Sequence, residues 1–505
     1  MSIKIWSAAL NGLDATLVAV EADSGGGDFG QITIVGLPDA AVSESKERVK
    51  SALRNCGLQF PRRRITINLA PANLRKHGPA YDLPIAISIL SLKNKFSSDL
   101  PNSLIIGELS LNGEVRSVNG ILSMVIAAKQ ANIKNVFIPQ ENEVEARLIT
   151  GLNIFPVSNL IQLINHFKKN KLIIPNIINI PNQTCESFSY DLSDVRGQEK
   201  AKRALEIAAT GGHNLLFFGS PGSGKTLLAR TIPSILPKLS LAEKLEITKI
   251  YSVAGELNKN SSLISTRPFR SPHHSASGAA LIGGGSWPRP GEISLAHRGV
   301  LFLDEFPEFA RHTLENLRQP IEEGFVNISR ASGSLKFPSK FTLIAAMNPC
   351  PCGYYGDKEK TCHCGEKQIN SYRQRLSGPI LDRIDMHIEV QRTPINKLKE
   401  KNTGEKSAVV RTRVEGAREI QNSRFKNYPF STNSEMNHAA IEKYCQLNTS
   451  CFLLLKMASE KMHFSTRSYF RILKLARTIA DLENRNDISE NHLAEAIQYR
   501  SKIER

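Results

Sequence analysis

Residues 219–226 read GSPGSGKT. Gly219, Gly224, Lys225 and Thr226 fill the pattern G-x-x-x-x-G-K-[ST], with Ser220, Pro221, Gly222 and Ser223 between the fixed positions. An apolar run, NLLFFG, leads into the string, and a run with helical spacing, TLLARTIPSIL, leads out of it. Strand, glycine-rich turn and helix in that order make a phosphate-binding loop, because backbone N–H groups at a helix start point at the phosphates. The pattern predicts that Lys225 reaches the β- and γ-phosphates of a nucleoside triphosphate and that Thr226 ligates Mg²⁺. It does not say what the energy drives.

A second element follows 79 residues after Lys225, in GVLFLDEF. Four apolar residues and then Asp-Glu describe a buried strand ending at the phosphate site. Asp304 suits the Mg²⁺ shell, and Glu305 suits the polarisation of an attacking water. A third apolar run, FTLIAAMN, ends in Asn348, whose side chain can hold that water near the γ-phosphate. In LSGPILDRIDMHIEV, Arg383 stands between Asp382 and Asp385, so a local ion pair and a catalytic role are both open. The phosphate loop and the Asp304-Glu305 strand end together predict ATP hydrolysis.

The chain has 505 residues, too many for one hydrophobic core, so about two to four domains are expected. No apolar stretch approaches the length of a membrane span, and the start, MSIKIWSAALNGLDA, lacks the regions of a signal peptide. A cytoplasmic protein without membrane association is expected. The net charge is +17; residues 1–185 carry 19 Lys+Arg against 14 Asp+Glu, so most of the surplus lies in the part that holds the phosphate loop. A basic balance favours polyanions without defining a fold.

The chain reads as four stretches. Residues 1–168 alternate short strands (ITIVGLP, RITINLA) and helices (AVSESKERVKSALRNCG, VNGILSMVIAAKQANI). Residues 169–190, rich in Asn and Pro, read as a linker. Residues 191–395 hold the nucleotide elements, and residues 396–505 read as helical, as in YFRILKLARTIADLE.

The order GSPGSGKT, VLFLDEF, AAMNPCPCG and LDRID resembles the magnesium-chelatase-like branch of the AAA+ ATPases. The strings RPFRSPHHSASGAALIGGG and STRSYFRILKLARTIADL narrow the resemblance to the ComM/YifB family, over essentially the whole chain. The resemblance implies a multidomain α/β fold: a Lon-protease-like α+β N-terminal domain, a P-loop αβα core and a helical lid. It implies a homohexamer with ATP between neighbours, and branch migration during recombination in natural transformation. Arg383 then resembles an arginine finger reaching the next subunit's γ-phosphate, and Arg467, in STRSYFR, a sensor arginine of the lid.

The resemblance to Lon rests on NLRKHGPAYDLPIAISI and IGELSLNGEVRSVNGILSMVIAAKQANIKNVFI. Where that family has a nucleophilic Ser, this chain has Ala80; where it has a Lys base, this chain has Leu122. Neither can attack or take a proton, which excludes a protease reaction and leaves a scaffold or docking domain.

Cys350, Cys352, Cys362 and Cys364 lie in one window, CPCGYYGDKEKTCHC, and four thiolates there could enclose a structural Zn²⁺. His363 could replace one of them; free thiols and redox chemistry are the other readings. Two segments look added to the nucleotide core: residues 267–297, rich in Gly, Pro and His, and FVNISRASGSLKFPSKFTLIA, which reads as a hairpin turning near Ala331-Ser332-Gly333. Arg267, Arg270, Arg289, Arg330, Lys336 and Lys340 give them a basic character suited to a phosphate backbone, single-stranded or branched DNA. A chelatase-type or chaperone ring acting on a protein, or a nucleotide-gated scaffold, is the alternative.

Overall fold

The structure, a computed structural model, describes residues 3–25, 30–61, 63–94, 96–97, 99–175, 188–257, 263–285, 288–330, 333–357, 359–393, 404–462 and 464–500. Residues 176–187 of the expected linker lie outside these. Contacts divide the chain into two compact units, Met1–Thr184 with Lys244–Ile264, and Cys185–Glu243 with Ser265–Arg505.

The first unit is built on a seven-stranded mixed sheet of β1 (Ile3–Asn11), β2 (Asp14–Gly25), β3 (Ile32–Val35), β4 (Arg64–Ala70), β5 (Ser103–Ile105), β8 (Asn135–Pro139) and β9 (Asn153–Val157), with a small hairpin of β6 (Glu108–Leu109) and β7 (Val115–Arg116) beside it. The sheet order is β3-β4-β2-β1-β5-β8-β9. The runs ITIVGLP and RITINLA begin as β3 and β4, and the two expected helices form at Ala40–Asn55 and Ile121–Gln130. The helix Asp82–Ser91, DLPIAISILS, is buried on every side, as its nearly uniform apolar composition requires. Its Asp82 carboxylate is held by Arg48 Nε at 2.8 Å.

The two positions where a protease dyad would stand are closed and apolar. Ala80 is packed with Leu104, Ile106 and Met124, and Leu122 is fully buried. The backbone N–H of Leu122 donates to Glu145 Oε1 at 3.0 Å, and the Ser252 hydroxyl donates to the same oxygen. Burial pushes the Glu145 carboxyl up from its ordinary value. Ser252 lies in Lys244–Ile264, a segment within the stretch read from sequence as the nucleotide core that groups with the first unit by its contacts.

The second unit centres on a five-stranded sheet of β10 (Leu215–Phe218), β11 (Phe269–Arg270), β14 (Val300–Leu303), β17 (Thr342–Met347) and β18 (Met386–Glu389), ordered β11-β14-β17-β10-β18 and parallel throughout. Strands buried on both faces read as continuous apolar runs, which is why LLFF, VLFL and TLIAAM were legible. Two hairpins rise from this core: β12 (Gly283–Gly284) with β13 (Arg289–Pro290), and β15 (Phe325–Arg330) with β16 (Gly333–Pro338). Arg330 pairs with Gly333 across the turn, as expected; Ala331 and Ser332 lie outside the described residues.

C-terminal to the sheet come helices Ser407–Arg424, His438–Tyr444, Thr449–Met462, Thr466–Leu482 and Glu490–Gln498. Val410, Val414, Ile472 and Ile479 share one apolar core with Leu205, Phe217 and Ile232 of the nucleotide part. The helical region therefore folds against the sheet. It has no separate core of its own among the described residues.

Candidate active site

The phosphate loop joins β10 to the helix Lys225–Ile235. Two glycines make its path possible. A Cβ on Gly219 would stand 2.2 Å from the Val390 carbonyl oxygen, and Gly224, which caps the helix, has φ +94°. Both demand the absence of a side chain. The Lys225 ammonium is buried and donates to the Gly219 carbonyl at 2.7 Å, the Ser220 carbonyl at 2.9 Å and Asn348 Oδ1 at 3.2 Å. Burial pulls it down to about 8, against the attraction of Asp304. A buried ammonium held only by neutral oxygens suits a phosphate, which would supply the missing countercharge.

Thr226 Oγ1 donates to Asp304 Oδ2 at 2.7 Å, so the two expected Mg²⁺ ligands are adjacent at the end of β14. Asn348, directly after β17, lies beside Lys225. These oxygens and the loop's N–H groups fit ATP with Mg²⁺, which when bound would neutralise charge on the phosphates. Glu305 follows Asp304 with φ +51°, and its N–H donates to Asp304 Oδ1 at 2.9 Å. Its carboxylate turns to His274, whose Nδ1 lies 2.9 Å from Oε2.

Arg383 is placed elsewhere. In a parallel sheet, the chain entering β18 and the chain leaving β10 lie at opposite edges. Leu215 pairs with Met386 and Phe218 with Glu389, so Arg383 is at the edge where β10 begins, next to Asn214, whose Nδ2 donates to the Arg383 carbonyl at 3.2 Å. Four residues of strand separate that edge from the phosphate loop, about 13 Å. Among the described residues Arg383 pairs with neither neighbouring aspartate: its Nη2 meets Glu322 Oε1 at 2.7 Å and its Nη1 donates to the Pro379 carbonyl at 2.7 Å. Asp385 is engaged by Arg471 and by the Asn214 N–H, which hold it below the usual carboxylate range despite its burial. Arg467, on the helix Thr466–Leu482, reaches the same Glu322 oxygen at 3.4 Å. Both expected catalytic arginines therefore gather at one carboxylate, away from their own phosphate loop.

The four cysteine sulfurs lie within 4.8 Å of one another. Cys350–Cys352, Cys350–Cys362 and Cys352–Cys362 are 3.4, 3.6 and 3.5 Å apart, close to the edge of about 3.8 Å in a tetrahedron with Zn–S near 2.3 Å. Backbone hydrogen bonds at Tyr354 and His363 pull the Cys352 thiol down to about 6, while desolvation and the neighbouring thiols push Cys362 up to about 12 and Cys364 up, so the cluster shares its protons until a metal displaces them. His363 is exposed and outside the cluster. The cluster also abuts the nucleotide site: a Cβ on Gly353 would stand 2.5 Å from Pro221 Cγ of the phosphate loop. We expect about one zinc per chain by elemental analysis. Cys362→Ser with Cys364→Ser should abolish it, lower the melting temperature and weaken ATP binding; metal-free wild-type protein with unchanged melting would contradict this.

The six basic residues expected at insertion tips divide. Arg289 and Lys336 are exposed on the two hairpins, and the Lys336 ammonium sits 3.5 Å over the Phe325 ring. Arg330 ends β15 at the hairpin turn. The other three are turned inward. Arg267 donates to the carbonyls of Pro237 and Arg298, both at 2.7 Å. Arg270 forms a two-point pair with Glu292 at 2.6 and 2.7 Å. Lys340 meets Glu435 at 3.0 Å. They stand at the bases of the insertions, where chain reversals leave carbonyls and carboxylates to be satisfied.

Competence protein ComM of Haemophilus influenzae is 43% identical over 507 residues, covering 99% of this chain and 97% of its own. This chain belongs to the ComM/YifB family. YifB of Escherichia coli is 42% identical over 506 residues, covering 99% of this chain and 97% of its own. Within the ComM/YifB chain, residues 191–398 match the family described as Magnesium chelatase, subunit ChlI; residues 20–142 match Subunit ChlI of Mg-chelatase; and residues 404–500 match its C-terminal part. Lon protease of Mycolicibacterium smegmatis is 27% identical over 169 residues, 31% of this chain and 21% of that protein. His274 and Glu322 were not read from sequence. Each meets its partner only through the fold, and the sole hint was the polar character of SPHHSASG.

Proposed function

We propose that the protein is an ATP-driven DNA motor working as a ring of copies, six by family resemblance. It would move single or branched strands during recombination, in the cytoplasm. The observation that carries the reading is a basic β-hairpin, Phe325–Pro338, in the unit that also holds the phosphate loop. Supporting it is the separation of Arg383 from its own phosphate loop: an arginine finger at that edge serves only the nucleotide of another copy. The name of the Haemophilus influenzae relative, a competence protein, agrees with a role in DNA uptake.

In hydrolysis Lys225 would hold the β- and γ-phosphates, and Glu305 would take a proton from the attacking water. Asn348 would orient that water. Arg383, released from Glu322, would neutralise charge developing on the neighbour's transferred phosphoryl group. Lys336 and Arg289 would contact phosphates, positioning the strand without reading its bases.

Arg330→Ala with Lys336→Ala should weaken DNA binding for every sequence alike. The slope of log K against log salt should fall by about 0.7–0.9 for each lost contact. DNA stimulation of ATP turnover should drop while ATP binding persists, which shows the ring is folded. Unchanged DNA affinity and salt slope would remove the hairpin from the DNA path. A chelatase-type or chaperone ring remodelling a protein, suggested by the magnesium-chelatase match, would then be the better reading.

A further inference from the structure

The edge of the parallel sheet where β10, β14 and β17 begin borders a cavity of about 590 Å³. That edge supplies one wall, through Asn214, Gly299 and Thr342. The helices Ser407–Arg424 and Thr466–Leu482 supply another, through Arg418 and Lys474. The phosphate loop leaves the opposite end of β10. The volume is that of a small-molecule site.

The cations lining this cavity are only partly answered by carboxylates. Arg267 meets Glu243 at 3.6 Å, Lys340 meets Glu435 at 3.0 Å, and Asp385 is held by Arg471. Among the described residues Arg418 and Lys474 form no ion pair, and each donates to a neutral oxygen instead. Arg418 Nη2 donates to the Ala209 carbonyl at 2.8 Å, and its Nε is buried without a hydrogen-bond partner among the described residues. Lys474 Nζ donates to the Ser434 carbonyl at 2.8 Å. Burial pulls the Arg418 guanidinium down to about 10, and the positive charges of Arg267 and Arg298 add to the pull. Burial lowers Lys474 as well.

A buried charge is costly unless it is paired and hydrogen-bonded. An oxyanion of more than one charge meets both needs here. The guanidinium fork matches phosphate oxygens, and the ammonium adds a point charge from a second helix. We infer that this cavity is a second anion site, which takes the phosphate or diphosphate group of a small molecule between Arg418 and Lys474. It is separate from the phosphate loop and does not depend on Arg383 acting as an arginine finger. Arg467 and Glu322, proposed above to face a neighbour's nucleotide, line the rim of the same cavity and are exposed there, so the test has to keep that edge apart. A bound oxyanion would tie the two helices together, which gives it a means of setting how firmly the helical region sits on the sheet.

The test is a count of bound pyrophosphate in the full chain, by isothermal titration calorimetry at low salt without Mg²⁺. Wild-type protein should take two per chain, Lys225→Ala and Arg418→Gln one each, and the double variant none. In the Lys225→Ala background, Lys474→Met should weaken the remaining site by about tenfold or more, the scale of one lost charge-assisted hydrogen bond. Arg418→Gln protein that keeps wild-type ATP affinity is folded; if it does not fold, Lys474→Met carries the same prediction. ADP that displaces pyrophosphate from Lys225→Ala protein marks a nucleotide as the ligand, and ADP without effect marks a free oxyanion; both results support the site. The inference is overturned if Lys225→Ala protein binds no pyrophosphate, or if Arg418→Gln and Lys474→Met leave its binding unchanged. It is also overturned if Arg383→Ala with Arg467→Ala abolishes that binding, since the anion would then sit where the neighbour's nucleotide is proposed. A Lys225→Ala protein that still takes two per chain refutes the phosphate-loop reading instead, while the loss in Arg418→Gln still reports on the cavity.

Discussion

Lys225→Ala protein will lose ATP binding, and Glu305→Gln protein will bind ATP while turning it over hardly at all. The two residues stand in one site, yet the proposed mechanism gives them different work. The Lys225 ammonium is buried against the Gly219 and Ser220 carbonyls and Asn348, with no carboxylate in direct contact among the described residues. Removing it takes away the fixed cation facing the phosphates, a charge-assisted contact worth about 1.5–3 kcal/mol, or more than tenfold in affinity. Among the described residues the Glu305 carboxylate has no hydrogen bond to the loop or Thr226; its amide change keeps shape and removes only the ability to take a proton. Loss of a general base costs roughly 10²–10⁴ in rate. Calorimetric ATP titration and steady-state turnover of both variants separate the two roles. Equal loss of affinity in both would refute the division.

Arg383→Ala should lower turnover by about 10³–10⁵, the scale of an arginine finger, with ATP binding retained. On the proposed reading, the edge position of Arg383 makes this an effect between copies. Mixing Arg383→Ala with Lys225→Ala protein should therefore restore part of the activity, since a Lys225→Ala subunit can offer its intact Arg383 to a neighbour whose phosphate loop is whole. Subunit exchange checked by native mass spectrometry makes the mixing decisive: mixed rings with no recovered turnover would refute a role in trans. Arg467 shares Glu322 with Arg383, and it is expected to act on the same neighbouring nucleotide rather than on its own.

Which of these features the sequence disclosed depends on how local each one is. The phosphate loop, the Asp304-Glu305 strand end and the cysteine window are runs of neighbouring residues whose spacing is their geometry. Buried parallel strands announced themselves as unbroken apolar runs. The hairpin Phe325–Pro338 showed as alternation around a glycine. The contacts that join distant residues were silent. Nothing in LDRID says that Arg383 would leave Asp382 and Asp385 for Glu322; Asp385 is already taken by Arg471 and Asn214. Nothing in SPHHSASG assigns His274 to Glu305, and Gly353 gives no sign that it abuts Pro221. The DNA contacts of the insertions were read from charge, and charge does not distinguish tip from base. Arg267, Arg270 and Lys340 are as basic as Arg289 and Lys336, yet they satisfy carbonyls and carboxylates at the bases of the insertions.

Strand movement is the most direct test of the motor. A fluorescently labelled strand on a forked DNA duplex is followed with wild-type protein and ATP, with ATP omitted, and with Glu305→Gln protein. The account predicts displacement that requires ATP, fails with Glu305→Gln and declines with rising salt. Wild-type protein that hydrolyses ATP in the same reaction yet displaces no strand from forked or four-way substrates would contradict it.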